Sequence, residues 1–289
     1  MNSIPRYINV MGKLVDLSEP KAMGVINMTP DSFYRGSRFS DEKSVIEAVM
    51  NMIRDGADII DVGGYSSRPG AGDVPFSEER DRVMKAVRAI NHEFPDVIIS
   101  IDTFRADIAR EAVEEYGAGI INDISGGEGD KKMFHYVEKL GVPYVLMHMR
   151  GVPANMQKNP VYDDIVADIL RWFGDRIYRL QSMGVKDIII DPGFGFGKTI
   201  EHNFTLLNRL DELSITGLPI LVGLSRKSMI WKTLNITAEA SLNGTIVLNT
   251  VALMKGCNIL RVHDIKEAVQ AIKLTEKLRN SDIVIKAVK

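Results

Sequence analysis

The stretch "AMGVINM", residues 22–28, decides the fold because it is the first of eight similar apolar segments. Each segment is short, rich in β-branched residues and almost continuously apolar. Segments of this kind are typical of strands that are buried on both faces of a parallel sheet. The other seven are "DIIDVGG" (58–64), "VIISIDT" (97–103), "AGIINDIS" (118–125), "PYVLMHM" (143–149), "DIIIDPG" (187–193), "PILVGLS" (219–225) and "NILRVHD" (258–264).

Helical patterns separate these segments. Val45, Ile46 and Val49 have helical spacing after the first segment, and a stretch rich in Glu and Arg runs from about residue 77 to 94. Eight consecutive strand–helix units predict the α/β class and a single (β/α)8 TIM barrel. An open, doubly wound sheet is the main alternative, and the lack of a domain break disfavours it.

An additional segment, "YINVMGKLVDL" (7–17), consists of two alternating runs around Gly12. This pattern predicts a β-hairpin that covers the bottom of the barrel. We therefore expect an N-terminal hairpin extension at residues 1–20, the barrel at 21–280 and a C-terminal tail at 281–289.

The composition narrows the possible classes of function. Apolar residues make up 45% of the 289 residues, charged residues make up 26%, and the net charge is -2. Positive and negative residues nearly balance, and no basic stripe indicates binding to nucleic acid. The longest apolar runs are too short to cross a membrane. The first residues lack the pattern of a signal peptide. The single cysteine, Cys257, suits a reducing cytoplasm and is predicted to be a buried structural thiol.

The ends of the eight apolar segments are polar. In a barrel the carboxyl ends of the strands converge on one face, where active sites lie. Each residue alone has a simpler explanation as a helix cap, but polar ends around a whole ring favour a binding site. These residues are Asn27, Asp61, Asp102, Asn122 with Asp123, His148, Asp191, Ser225 to Lys227, and Arg261 with His263. We regard Asp61 as a helper only.

The residue types in this ring predict the ligand class. The carboxylates Asp102 and Asp191 suit paired N–H donors, and the Asn122 amide offers both a donor and an acceptor. Lys227 and Arg261 suit an oxo group or a phosphate, and an arginine can also stack on a ring. A flat, guanine-like heterocycle that carries a phosphate fits both halves. The start of a helix in "LSRKS" (224–228) is a further candidate for an anion.

Two familiar motifs do not apply. "GFGFGKT" (193–199) ends like a phosphate-binding loop, but the required first glycine would stand at position 192, which is proline. A dinucleotide fingerprint would need a third glycine where Lys198 stands. The five histidines have no spacing typical of a metal site.

The chain resembles the dihydropteroate synthase family over almost its full length. Eight motifs in order carry the resemblance, each at the end of a predicted strand: "MGVINMTPDSF", "IIDVGGYSSRPGA", "ISIDT", "GIINDISGG", "MHMRGVPANMQ", "DPGFGFGKT", "GLSRKS" and "LRVHD". The resemblance implies that p-aminobenzoate displaces pyrophosphate from 6-hydroxymethyl-7,8-dihydropterin pyrophosphate, giving 7,8-dihydropteroate for folate biosynthesis. It also implies a Mg²⁺ cofactor, inhibition by sulfonamides and a homodimer.

The same resemblance implies roles for individual residues. The expected catalytic residues are Asp102, Asp191, Lys227 and Arg261. The expected pterin site consists of Asp102, Asn122, Met147, Asp191, Phe196, Gly223, Lys227 and Arg261. Pyrophosphate is expected at Asn27, Arg68, Arg261 and His263, with Asn27 as the Mg²⁺ ligand. p-Aminobenzoate is expected at Phe33, Ser67, Arg68, Pro69, Lys227 and Ser228. The loops around Asp31 and Ser66 are expected to move over the substrates.

The second loop departs from the family pattern Gly-Gly-Glu-Ser-Thr-Arg-Pro-Gly. Tyr65 stands in place of the acid and Ser67 in place of the threonine. Sensitivity to sulfonamides is the property that these changes put in doubt. Two other functions remain open: a methyltetrahydrofolate-binding methyltransferase barrel, and a related protein that binds pterin or a partner protein without turnover. The dimer interface is expected on the last helices, near "AVQAIKLTEKL" and the apolar face of Leu242, Val247 and Val251.

Overall fold

A computed structural model describes residues 7–28, 42–65, 74–151, 156 and 160–287, with side chains up to residue 281. The strands are β1 (Tyr7–Val10), β2 (Lys13–Asp16), β3 (Lys21–Asn27), β4 (Ile59–Gly63), β5 (Ile98–Asp102), β6 (Ile120–Asp123), β7 (Tyr144–Met147), β8 (Ile188–Asp191), β9 (Leu221–Val222) and β10 (Ile259–Val262). The α-helices are α1 (Glu42–Arg54), α2 (Phe76–Glu93), α3 (Ala106–Tyr116), α4 (Met133–Leu140), α5 (Ile165–Ser182), α6 (Ile200–Asn208), α7 (Ser228–Thr233), α8 (Leu242–Met254) and α9 (Ile265–Ala287).

The strands β3 to β10 form one parallel sheet in the order β8-β7-β6-β5-β4-β3-β10-β9. A parallel bridge between Ile190 and Ile220 joins the two outer strands, and the Ile190 amide donates to the Pro219 carbonyl at 2.9 Å. The sheet therefore closes on itself with helices interleaved around it. The predicted TIM barrel is confirmed, and the open doubly wound sheet is wrong.

The hairpin β1–β2 is confirmed as a separate antiparallel pair. Ile8 and Val10 of β1 and Leu17, directly after β2, share one buried cluster with residues at the beginning or middle of the barrel strands, such as Met23 and Ile59. Gly119 permits this close approach, because a Cβ atom there would lie 2.6 Å from Val10 Cγ1. The hairpin thus fills the bottom of the barrel and leaves the opposite face for a site.

Helices cover the outside of the barrel through a second, larger apolar layer. Cys257 is only 1% exposed, so the prediction of a buried thiol is confirmed. Helix α9 continues to Ala287, past residue 281, where we expected the tail to begin. Among the helices in the described part of the chain, none combines the length and apolar character needed to span a membrane.

Helix α8 buries polar residues and exposes an apolar one. Its buried positions include the polar residues Thr245 and Asn249, whereas Val247 is 53% exposed. The helix packs against α9, on which Leu274 is 72% and Leu278 is 58% exposed. The outer surface of this helix pair is therefore more apolar than a solvated helix surface usually is.

Candidate active site

The strand register aligns several of the predicted site residues. Asn27 lies opposite Gly63, Gly63 opposite Asp102, and Asp102 opposite Asn122 on successive strands. Because parallel strands carry these positions to one level, their side chains project from the same end of the barrel. Gly63 keeps this level open, since a Cβ atom there would lie 3.3 Å from the Asp102 Cβ.

Arg261 is the centre of a charged cluster at this level. Its Nε atom donates to Asp61 Oδ2 at 2.7 Å, and its Nη2 atom donates to Asp102 Oδ2 at 2.7 Å. Asn122 Nδ2 donates to the same Asp61 oxygen at 3.1 Å. The guanidinium is therefore held in a fixed plane by two carboxylates that come from neighbouring strands.

Asp61 has a larger part in this cluster than the sequence suggested. It is fully buried and contacts both Arg261 and Asn122, so it orients two other site residues. A carboxylate within an otherwise apolar strand segment needs a partner when it is buried. This rule could have predicted from the sequence that Asp61 has a partner in the site. We assigned Asp61 only the role of a helper.

Asp191 and Lys227 form the opposite side of the site. Asp191 is buried and its Oδ1 accepts the Gly193 amide at 2.7 Å. The Lys227 ammonium donates to the Phe194 carbonyl and lies 4.7 Å from the centre of the Phe196 ring. The side chains of Lys227 and Arg261 both border Gly223. A Cβ atom at Gly223 would lie 3.8 Å from Lys227 Nζ and 3.9 Å from Arg261 Cβ.

Apolar residues form a wall beside these charges. Met147 ends β7 and faces Asp191 in the register of β8. It belongs to a small buried cluster with Ile124, Met149 and Met156, against which Phe196 packs. Met147 and Phe196 therefore give Asp191 and Lys227 an apolar border.

Burial shifts the pKa values of the ionisable groups in the site. It raises the pKa of Asp102 to about 7; Arg261 opposes the shift, and the carboxylates of Asp61, Glu79 and Asp123 add to it. Burial also raises the pKa of Asp191, with Lys227 as the main opposing charge. A raised pKa means that the carboxyl group is protonated more easily, and a cationic or N–H donor group beside it lowers the pKa again by favouring the charged form.

The pKa values of Lys227 and His263 shift in the other direction. Burial lowers the pKa of Lys227 to about 8; Asp191 opposes the shift and Arg261 adds to it. Burial, together with the positive charges of Arg261, Arg226 and Lys227, lowers the pKa of His263 to about 3. His263 is therefore a neutral imidazole, and its Nδ1 lies 2.9 Å from the Ser225 hydroxyl.

Lys198, which the sequence singled out only for its position in "GFGFGKT", is a buried structural residue. Its ammonium donates to the carbonyls of Gly193 at 2.9 Å and Phe196 at 3.0 Å, and it lies 3.0 Å from His148 Nδ1. These contacts join the loop after β8 to the end of β7. Lys198 therefore fixes the segment that carries Asp191 and Phe196.

An ion pair between Arg226 and Asp264 fixes the loop between β9 and α7. Arg226 has a positive φ of 55°, an unusual conformation for a residue other than glycine. Its guanidinium makes two hydrogen bonds to the Asp264 carboxylate, at 2.9 and 2.8 Å. This ion pair connects the two loops that carry Lys227 and His263.

The remaining predicted residues fall into two groups. Asn27 is the last residue of β3, and Ser228 is the first residue of α7, directly after Lys227. Phe33, Ser67, Arg68 and Pro69, and with them Asp31 and Ser66, lie outside the described residues.

The described residues include no group of three or more His, Cys, Asp or Glu side chains arranged to hold a metal ion. Asn27, the last residue of β3, has a side-chain oxygen that is a hard donor. A single protein ligand suits Mg²⁺ that enters with a phosphate-bearing substrate and keeps several waters.

Comparisons with known proteins agree with this geometry. The pterin binding enzyme family matches residues 23–263. The dihydropteroate synthase of Escherichia coli (strain K12) is 44% identical over 270 residues, which is 92% of this chain and 94% of that protein. The one from Clostridium beijerinckii is 44% identical over 88% of this chain and 92% of its own length.

Solved structures show the same similarity. A Yersinia pestis dihydropteroate synthase in complex with a sulfonamide drug is 40% identical and superimposes with a TM-score of 0.91, covering 95% of this chain and 99% of that one. A Xanthomonas albilineans dihydropteroate synthase with 4-aminobenzoic acid is 35% identical, with a TM-score of 0.87 and coverage of 95% and 98%.

Proposed function

Because this chain belongs to the pterin binding enzyme family and to its dihydropteroate synthases, we propose that it condenses p-aminobenzoate with 6-hydroxymethyl-7,8-dihydropterin pyrophosphate. The products are 7,8-dihydropteroate and pyrophosphate, in the biosynthesis of folate. The observation that carries the proposal is the cluster in which Asp61 and Asp102 hold the Arg261 guanidinium next to Asn122.

In this proposal the pterin lies flat between Arg261 and the wall of Met147 and Phe196. The pterin ring has paired N–H donors on one edge and an oxo group on another. Asp191 and Asn122 match the donor edge, because a carboxylate accepts two hydrogen bonds and an amide both donates and accepts. Lys227 matches the oxo group, and Gly223 leaves room for the ring between Lys227 and Arg261.

The chemistry needs little beyond electrostatics. The aromatic amine is already a neutral nucleophile, so the difficult step is the departure of pyrophosphate from the pterin methylene. Positive charge that develops on the ring is stabilised by Asp102 and Asp191 in a site where burial strengthens the interaction. Arg261 stabilises the leaving anion, and we assign catalytic roles to these three residues and to Lys227.

We assign the pyrophosphate to the side of the site that contains Asn27, Arg261 and His263, together with Arg68 from the second loop. Asn27 would hold Mg²⁺ through its side-chain oxygen, and the metal would supply charge neutralisation for the leaving group. The neutral His263 donates a hydrogen bond without adding a charge. p-Aminobenzoate is assigned to Phe33, Ser67, Arg68, Pro69, Lys227 and Ser228, where the helix start and Lys227 suit its carboxylate.

We further propose that the protein is a cytoplasmic homodimer. Support for the second copy comes from α8 and α9, whose outer surface exposes Val247, Leu274 and Leu278. Exposed apolar surface of this kind is typical of a contact between subunits. Support for the cytoplasm is the single buried cysteine, which suits a reducing compartment.

The experiment that tests the function is pyrophosphate release by the purified protein, with Mg²⁺ and the pterin pyrophosphate, with and without p-aminobenzoate. The expected result is release that requires p-aminobenzoate, stops on addition of a sulfonamide and is lost when EDTA removes the Mg²⁺. Tight pterin binding without release would instead favour a pterin-binding protein without this activity. Methyl transfer from methyltetrahydrofolate would favour the methyltransferase.

A further inference from the structure

Arg105 is the residue directly before α3, and it is not among the residues assigned above. Its guanidinium is paired with Glu79 of α2, with 3.0 Å between Arg105 Nη1 and Glu79 Oε2. The Glu79 side chain is fully buried, and the Arg105 side chain is 17% exposed. A buried carboxylate on the outside of a barrel requires an explanation, because burying charge is costly even in a pair.

The same guanidinium contacts both ends of the second loop. Its Nη2 atom donates to the Val74 carbonyl at 2.6 Å. Its Cζ atom lies 5.8 Å from the centre of the Tyr65 ring. Tyr65 and Val74 are the described residues on either side of residues 66–73. One side chain therefore connects the point where the chain leaves the barrel with the point where it returns.

Aromatic packing strengthens the contact at Tyr65. The Tyr65 ring meets the Phe104 ring edge-on, with 5.0 Å between the ring centres and an angle of 83°. Arg105 lies 5.5 Å from the Phe104 ring centre and 6.0 Å from that of Phe76, so three rings surround the guanidinium. Gly64 lets the chain reach this position, since a Cβ atom there would lie 2.9 Å from the Glu79 carbonyl.

The network continues to the catalytic strand. Thr103, the residue after Asp102, donates its hydroxyl to Glu79 Oε1 at 2.6 Å and accepts the Arg105 amide at 3.1 Å. The Glu79 charge also contributes to the raised pKa of Asp102. The Glu79–Arg105 pair thus connects the end of β5 with both ends of the second loop.

We propose that Arg105 is a positioning residue for p-aminobenzoate binding, which it supports by fixing Tyr65 and Val74 relative to Asp102. The inference rests on the proposed function, in which Ser67, Arg68 and Pro69 contact p-aminobenzoate. Tyr65 and Val74 flank residues 66–73, so fixing these two residues fixes the points at which that segment begins and ends. Tyr65, which departs from the family pattern, supplies the ring that the guanidinium contacts.

The test compares KM for p-aminobenzoate with the dissociation constant of the pterin. Arg105→Gln alone removes a positive charge beside the buried Glu79 carboxylate, so the double variant Glu79→Gln/Arg105→Gln is measured beside it. The amide oxygen introduced by Glu79→Gln can still accept the Thr103 hydroxyl. Both variants are expected to raise KM for p-aminobenzoate about tenfold or more, because small displacements of positioning groups have effects of this size. Pterin binding by Arg105→Gln is expected to stay within about twofold, since Asn122, Asp191 and Arg261 keep their contacts. The double variant is compared through KM for p-aminobenzoate only, because loss of the Glu79 charge also acts on Asp102.

Tyr65→Ala tests the same network without changing a charge. It is expected to raise KM for p-aminobenzoate in the same direction but less, and Tyr65→Phe, which keeps the ring, is expected to raise KM less than Tyr65→Ala does. If the two residues act together, Tyr65→Ala/Arg105→Gln raises KM no further than Arg105→Gln alone. Arg110→Gln is the matched control, because Arg110 lies on α3 and pairs with Glu114 at its surface.

The possible outcomes separate this inference from the proposed function. If the wild type releases no pyrophosphate in response to p-aminobenzoate, the proposed function fails and the inference fails with it. If the wild type is active but the variants keep the wild-type KM for p-aminobenzoate, the inference alone is wrong. Equal losses for both substrates would also overturn it, because they would indicate a general structural role.

Discussion

At the scale of single residues, the site is organised around charges that the fold keeps close together and buried. Asp61 and Asp102 both contact Arg261, and burial raises the pKa of Asp102 to about 7 in spite of that contact. Ion pairs in such surroundings add little to stability, because desolvation offsets the attraction. Their arrangement is better explained by the need for a fixed cation and an acceptor at a reacting ring.

Replacing Asp102 with Asn should separate the effect of its charge on catalysis from the effect of its shape. The amide keeps the size of the side chain but cannot stabilise positive charge on the pterin. We expect kcat/KM to fall by about 10² to 10³, the typical effect of losing a preorganised electrostatic group. Steady-state kinetics measure this, with Asp107→Asn on the outside of α3 as the control. A loss of less than about threefold would remove Asp102 from the catalytic group.

The lowered pKa of Lys227 predicts how pterin binding depends on pH. Because the pKa is about 8, the ammonium loses its proton as the pH rises through that value. The charged donor to the pterin oxo group is then lost, and affinity should decrease above about pH 8. Lys227→Arg should remove this decrease, because a guanidinium stays charged. Calorimetric titrations from about pH 7 to about pH 10 test this, and an identical decrease in both proteins would assign it to another group.

At the scale of elements, the loop after β8 depends on one buried amine. Lys198 donates to the carbonyls of Gly193 and Phe196 and contacts His148, so its removal leaves buried polar groups without this donor. The sequence could exclude a phosphate-binding loop here through Pro192. It could not reveal the structural role, because the acceptors are backbone carbonyls, which carry no signal in the residue types.

Lys198→Met should therefore destabilise the protein and weaken pterin binding together. Unpaired buried carbonyl groups cost about 1–3 kcal/mol each, so we expect the free energy of unfolding to fall by about 2 kcal/mol or more. Urea denaturation measures this, with Lys186→Met as the control at an exposed position. If Lys198→Met unfolded at the same urea concentration as the control, the structural role assigned to Lys198 would be wrong.

At the scale of the whole molecule, the closed barrel explains why the sequence predicted the fold and the face on which the site lies. Eight buried strand patterns and their polar ends determine both the fold and the face on which the site lies. The sequence did not predict contacts between residues that are distant along the chain, such as Arg261 and Asp61. These contacts depend on how the strands curve and on which side chains meet. The ends of the second loop show the same limit, since only folding brings Val74 and Tyr65 to Arg105.

The apolar outer surface of α8 and α9 gives a prediction about assembly. Val247 is 53% exposed although it is a large apolar residue, while Thr245 and Asn249 on the same helix are buried. If a second copy covers this surface, burying each such side chain contributes about 1.5–3 kcal/mol to association. Val247→Asp would place a charge in that contact and should convert a dimer to monomers.

Sedimentation equilibrium measures the change, with Val161→Asp as the control at a position that is 58% exposed and far from α8 along the chain. The control should retain the wild-type mass, because it adds the same charge to a surface outside the proposed contact. Circular dichroism checks that both variants are folded, so that a loss of mass reflects dissociation alone. A wild-type protein that is monomeric at micromolar concentration, or a Val247→Asp variant that stays dimeric, would show that a second copy does not cover this surface through Val247.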